Sequence, residues 1–147
     1  MVSNAKRGAD FEKMVEEELK KFLPNSVINR IDRAGSLKYE STSDIEIADR
    51  MELVIDCKQT IGQFGFSDLR KLLKIVQKKY CLVGDIPVVI FGERRGKTRI
   101  NRDNIGVALM QGKGVVVFSL ETFCEVLKKF EDLEYALLLT PDRICGA

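Results

Sequence analysis

The chain has 147 residues, 45% of them hydrophobic and 31% charged, with a formal net charge of +2 and no histidine. That length and apolar content fit one domain, 1–147, with a core of ordinary size, and charges interrupt every apolar run that could span a membrane. Without imidazole, Ser-His-Asp and Cys-His triads, histidine-ligated metals and imidazole acid–base chemistry are excluded, so catalysis would have to run on carboxylates, lysine and a metal.

The chain opens on Ser3, Asn4, Lys6 and Arg7, which is no signal-peptide pattern. The first helix is expected from about Gly8 to Phe22, closed by Pro24. Its apolar stripe is Phe11, Val15, Leu19, Phe22 and Leu23, and at about 100° per residue Glu12 falls inside that arc. A carboxylate turned toward a sheet costs several kcal/mol unless it is paired or bound to a metal. Glu16 flanks the same arc, whereas Glu17 and Glu18 should face solvent.

A strand near Val27–Ile31 and a polar loop, 32–43, lead to a hairpin of strands 44–48 and 52–58. A glycine-containing loop and a helix from about Ser67 to Tyr80 follow, with Ser67 as the expected N-cap and Asp68 in the first turn. Ile86–Phe91 reads as a buried strand, Thr98–Asn101 as a short one, Val115–Ser119 as another apolar strand and Leu120–Phe130 as an amphipathic helix. The tail from about 131 has no assigned element. This order implies an α/β fold, a central mixed sheet with helices covering its faces.

Chemistry concentrates in the hairpin. A turn through Asp49, Arg50 and Met51 would pair residue 46 with 54 and 44 with 56. Strands alternate faces, so Asp56 and Lys58 share a side and Asp44 joins them, while Cys57 points away as a small core residue. Two carboxylates at cross-strand distance repel unless a cation lies between them. Oxygen ligands of this kind suit a hard divalent ion such as magnesium. The plain alternative is an ordinary hairpin with an Asp56–Lys58 salt bridge. Basic residues form two clusters: Arg94, Arg95, Lys97, Arg99 and Arg102 within nine residues, and Arg70, Lys71, Lys74, Lys78 and Lys79 along one helix. Each is either a phosphate-binding footprint or a solvated surface. Four cysteines (57, 81, 124 and 145) without a CxxC pair argue against thiolate zinc and for free thiols in an intracellular, cytoplasmic setting.

Taken together, Lys6-Arg7-Gly8 with Glu12, Arg33-Ala34-Gly35-Ser36, Ser43-Asp44 and Asp56-Cys57-Lys58-Gln59-Thr60 resemble the PD-(D/E)xK nuclease superfamily, and within it the archaeal Holliday junction resolvases. The likeness lies within residues 6 to 60. Ser43 stands where the superfamily has proline, and the 32–43 loop is longer than the pattern expects.

The resemblance implies a restriction-endonuclease-like core and a metal-dependent endonuclease that hydrolyses DNA phosphodiester bonds. Glu12, Asp44, Asp56 and the Cys57 carbonyl would hold Mg2+ or Mn2+. Lys58 would contact the attacking water and the scissile phosphate, and Ser36 would assist. Lys6, Arg7, Arg33, Gln59, Arg94, Arg95 and Lys97 are the expected DNA contacts, and branched or junction DNA the expected partner of a homodimer. Two other functions stay open: a viral or repair nuclease acting on single strands, flaps or duplex ends, and a DNA-binding module without catalysis.

Overall fold

A computed structural model describes residues 4–31, 44–94, 101–138 and 144–145, with the backbone alone for residues 4–7, 61, 138 and 144–145. Its elements run α1 (Asn4–Phe22), β1 (Ile28–Arg30), β2 (Ile45–Ile47), β3 (Leu53–Ile61), α2 (Phe66–Tyr80), β4 (Ile86–Arg94), a 3-10 turn (Arg102–Asn104), β5 (Gly106–Gln111), β6 (Gly114–Ser119), α3 (Leu120–Lys129), α4 (Leu133–Leu138) and β7 (Ile144–Cys145). The strands form one sheet in chain order, β1 to β7. β3 and β4 are parallel, joined by α2, and every other neighbouring pair is antiparallel. The fold is therefore α/β, a mixed sheet with helices on both faces.

Period-two alternation decides what each face buries. Ile45, Ile47, Ile55, Val88, Ile90, Val107 and Val116 turn toward α1, α3 and α4, meeting Phe11, Val15, Leu19, Phe123 and Leu133. Val54, Val89, Phe91, Ala108 and Val115 turn the other way, onto Leu69, Leu73 and Val76 of α2. At about 25 cal/mol per Å2 of apolar surface buried, these two seams supply most of the drive to fold.

Several boundaries differ from the sequence reading. The N-cap of α2 is Gly65, whose amide donates to Asp68 Oδ2 at 3.0 Å, so the helix starts at Phe66 and Ser67 lies inside it. Residues 98–100 of the expected short strand lie outside the described residues, and Asn101 caps the 3-10 turn by accepting from the Asp103 amide. The next strand is instead β5, and it closes on β6 through Gly112, whose φ of 58° suits the first central position of a two-residue hairpin loop. α4 and β7 occupy parts of the tail.

Glu18 corrects another expectation. It is 8% exposed rather than solvated, because α3 packs beside α1 and Arg102 of the 3-10 turn reaches over to it at 3.5 Å. Arg102 also pairs with Glu17 at 3.3 Å.

Candidate active site

β2 and β3 pair in the register the turn length predicts, with Ile45 opposite Ile55. The Arg50 amide donates to the Ile47 carbonyl within the turn. At its N-terminal end the ladder changes. The Asp44 amide donates to the Ile55 carbonyl at 2.8 Å, so residues 44 and 45 both oppose residue 55, two against one, as in a β-bulge. Asp44 therefore does not lie squarely across from Asp56, and strand alternation no longer fixes where its side chain points. Its position is fixed by a bond: Asp44 Oδ2 accepts from the Cys57 amide at 2.7 Å. The carboxylate takes a ladder place that a regular strand would fill with a backbone carbonyl.

Asp56 is 7% exposed and Asp44 is 6% exposed. Lys58 Nζ lies 3.6 Å from Asp56 Oδ2, with its side chain 47% exposed. Four charged side chains are buried among the described residues: Glu18, Asp44, Arg50 and Asp56. Two of them tie distant parts of the chain together. Glu18 meets Arg102, while Arg50 bonds Glu52 and the carbonyls of Leu127, Phe130 and Glu131. Nothing in the sequence pattern marks Arg50, since its carbonyl partners are far along the chain; for Glu18 the hint is its place at the edge of the apolar arc. The other two, Asp44 and Asp56, sit one bulge apart where β2 meets β3.

The Ile55 carbonyl and the Cys57 amide both point toward β2, and so does the Cys57 carbonyl, because a strand residue's N–H and C=O share a side. Two buried carboxylates and a carbonyl make an oxygen-only donor set, and that chemistry fits a hard divalent ion that keeps several of its waters. Burying two anions on neighbouring strands is costly, and the half-exposed Lys58 ammonium beside Asp56 offsets part of that cost.

Alternation along β3 puts Asp56 and Lys58 on the face of Val54, beneath α2, and half-buried Cys57 on the face of Ile55. Glu12 is half-buried, as its place in the apolar arc predicts, but α1 packs on that second face. Among the described residues no group of three or more His, Cys, Asp or Glu side chains gathers as a metal ligand set. The structure thus gathers Asp44, Asp56, Lys58 and the Cys57 backbone where β2 meets β3, while Glu12 lies on α1, whose apolar side packs on the other face of the sheet.

Gln59 is half-buried on β3, and half-buried Arg94 ends β4, where its Nε is shielded from water with no hydrogen-bond partner among the described residues. Ser36, Arg33, Arg95 and Lys97 lie outside the described residues, as do the side chains of Lys6 and Arg7. Two of the cysteines are held as thiols at neutral pH. Burial, with Asp85 adding to it, pushes the Cys81 thiol up to about 11, and burial pushes Cys124 up to about 12.

No family model, curated protein or solved structure matches this chain. No helix among the described residues is long and apolar enough to cross a membrane.

Proposed function

We propose that this protein is a metal-dependent DNA endonuclease with a restriction-endonuclease-like core, selective for branched DNA and acting as a homodimer. The observation that carries the reading is the pair of buried carboxylates, Asp44 and Asp56, beside an exposed ammonium held 3.6 Å from one of them. The order α1-β1-β2-β3-α2-β4, with β3 and β4 parallel, is consistent with such a core.

Asp44, Asp56 and the Cys57 carbonyl would hold Mg2+ or Mn2+, and Glu12 enters the ligand set through the resemblance alone. When bound, the ion would neutralise charge developing on the phosphate and lower the pKa of a coordinated water. Lys58 supplies a mobile point charge with three donors, able to contact the scissile phosphate and orient the attacking water. Asp56 keeps that ammonium in place, and the Cys57 amide fixes one oxygen of Asp44. Ser36 would assist from the loop after β1. Lys6, Arg7, Arg33, Gln59, Arg94, Arg95 and Lys97 would contact DNA.

One observation favours a second reading, a DNA-binding module without catalysis: no third carboxylate joins Asp44 and Asp56 among the described residues. One assay separates the two. Incubation with Mg2+ and labelled four-way junction, flap, single-stranded and linear duplex DNA is expected to give paired symmetric nicks in the junction. Lys58→Ala and Asp56→Asn should retain junction binding while losing cleavage by at least about 100-fold, the usual scale for removing a positioned electrostatic group. Binding without nicks on any substrate overturns the nuclease proposal and leaves the module; cutting confined to flaps, single strands or ends overturns the junction preference alone.

A further inference from the structure

The outer face of α2 carries a row of lysines that local pairing does not explain. Buried Leu69, Leu73 and Val76 define the side pressed on the sheet, and at 100° per residue Lys71, Lys74 and Lys78 project almost directly opposite them. Their spacing, i, i+3 and i+7, lines them up over about 10 Å of helix at 1.5 Å per residue. All three are exposed.

Lysines on the other long helices stand beside acids one turn away: Lys20 lies 3.4 Å from Glu16 and Lys128 lies 3.1 Å from Glu125. α2 has five basic residues and one acid, Asp68, which is taken up at the N-cap by the Gly65 amide. Lys74 and Lys78 therefore have no acid three or four positions away on the helix, and they repel each other and Lys71 across single turns. Such like-charge pairs destabilise a helix. A row that works against its own helix fits a polyanion, which would relieve the repulsion on contact.

α2 also covers the sheet face from which Asp56 and Lys58 project. The row and the candidate site thus look out from the same side of the sheet, and both are positive at their exposed tips. A nucleic-acid backbone offers regularly spaced negative charge that a straight row of ammonium groups can follow.

We infer that Lys71, Lys74 and Lys78 form a phosphate-backbone docking surface that holds DNA across the α2 face of the sheet. This rests on the nuclease reading for its choice of partner, but docking requires neither metal nor cleavage. The test therefore uses the full chain in EDTA, with a fluorescein-labelled 20-base-pair duplex and anisotropy read against salt concentration.

Neutralising the row in Lys71→Gln/Lys74→Gln/Lys78→Gln should weaken binding at least tenfold at low salt. It should also make the slope of log affinity against log salt shallower by about 2 to 3, near 0.9 for each phosphate no longer neutralised. A control that removes the same charge from the opposite layer, Lys20→Gln/Lys128→Gln/Lys129→Gln, should leave the slope unchanged. Circular dichroism melts of both triple variants confirm folding, and the α2 variant should melt no lower than the parent.

Equal slopes for the parent and the α2 variant overturn the inference. So does binding of the parent, through this row, to phosphatidylserine vesicles and not to duplex. A protein that docks DNA through the row and cuts nothing with Mg2+ sinks the nuclease reading and leaves the docking surface standing.

Discussion

Arg50 shows how one side chain can join two parts of the fold. It sits in the β2–β3 turn, 9% exposed, and its guanidinium spans Glu52 at 2.7 Å and three carbonyls at the end of α3 at 3.0 to 3.2 Å. Helix C-termini carry unsatisfied carbonyls and partial negative charge, and a planar fork of donors meets both needs. Arg50→Ala should cost about 2–3 kcal/mol, measured by urea unfolding, because it leaves the helix carbonyls without their donors, while the partly exposed Glu52 turns to water. Arg50→Lys keeps the charge but not the fork and should recover less than half of that. An Ala variant within about 0.5 kcal/mol of the parent would mean that water replaces the guanidinium at no cost.

The hairpin shows how far sequence can be followed at the scale of elements. Apolar residues alternate in both strands and the turn length is readable, so the pairing of Ile45 with Ile55 follows from pattern. The bulge at Asp44 does not. Parity assumes an unbroken ladder, and the bond from the Cys57 amide to Asp44 Oδ2 breaks it without any glycine or proline to signal the change. Glu12 is half-buried, as its place inside the apolar arc predicts, but a helical angle cannot say which sheet face the helix covers. That depends on α3 and α4 filling the same side.

β5 was illegible for a different reason. It opens on Gly106, a poor strand former, and the glycine is there for packing. A Cβ at that position would lie 2.5 Å from Phe91 Cζ and 2.8 Å from Cε1. The ring belongs to the seam under α2 and stacks edge-on with Phe64 at 5.6 Å, so it has little freedom to retreat. Gly106→Ala is expected to destabilise by about 1–3 kcal/mol through overpacking. Adding Phe91→Leu should return part of the loss, a coupling that a double-mutant unfolding cycle measures directly. Strict additivity of the two changes would mean that the glycine serves the backbone alone.

Across the whole molecule, the proposed cation site between two buried anions would link metal to folding. Without metal, the half-exposed Lys58 ammonium beside Asp56 and the Cys57 amide on Asp44 would offset only part of the cost of holding two carboxylates in a poorly solvated place, a cost the unfolded chain does not bear. Any ion held only by the folded state stabilises it by mass action, about 2.7 kcal/mol at one hundred times the dissociation constant. For a chain of this length that is roughly a 5–10 °C rise in Tm. Mg2+ should therefore raise Tm in a saturable way, beyond the effect of sodium chloride at equal ionic strength. Asp56→Asn should reverse both halves of the behaviour. The metal-free variant should melt at or above the parent, since one anion has been removed, and added Mg2+ should no longer move it. An equal Mg2+ shift in the variant would place the cation elsewhere, and no shift in the parent would leave two buried carboxylates held by hydrogen bonds and Lys58 alone.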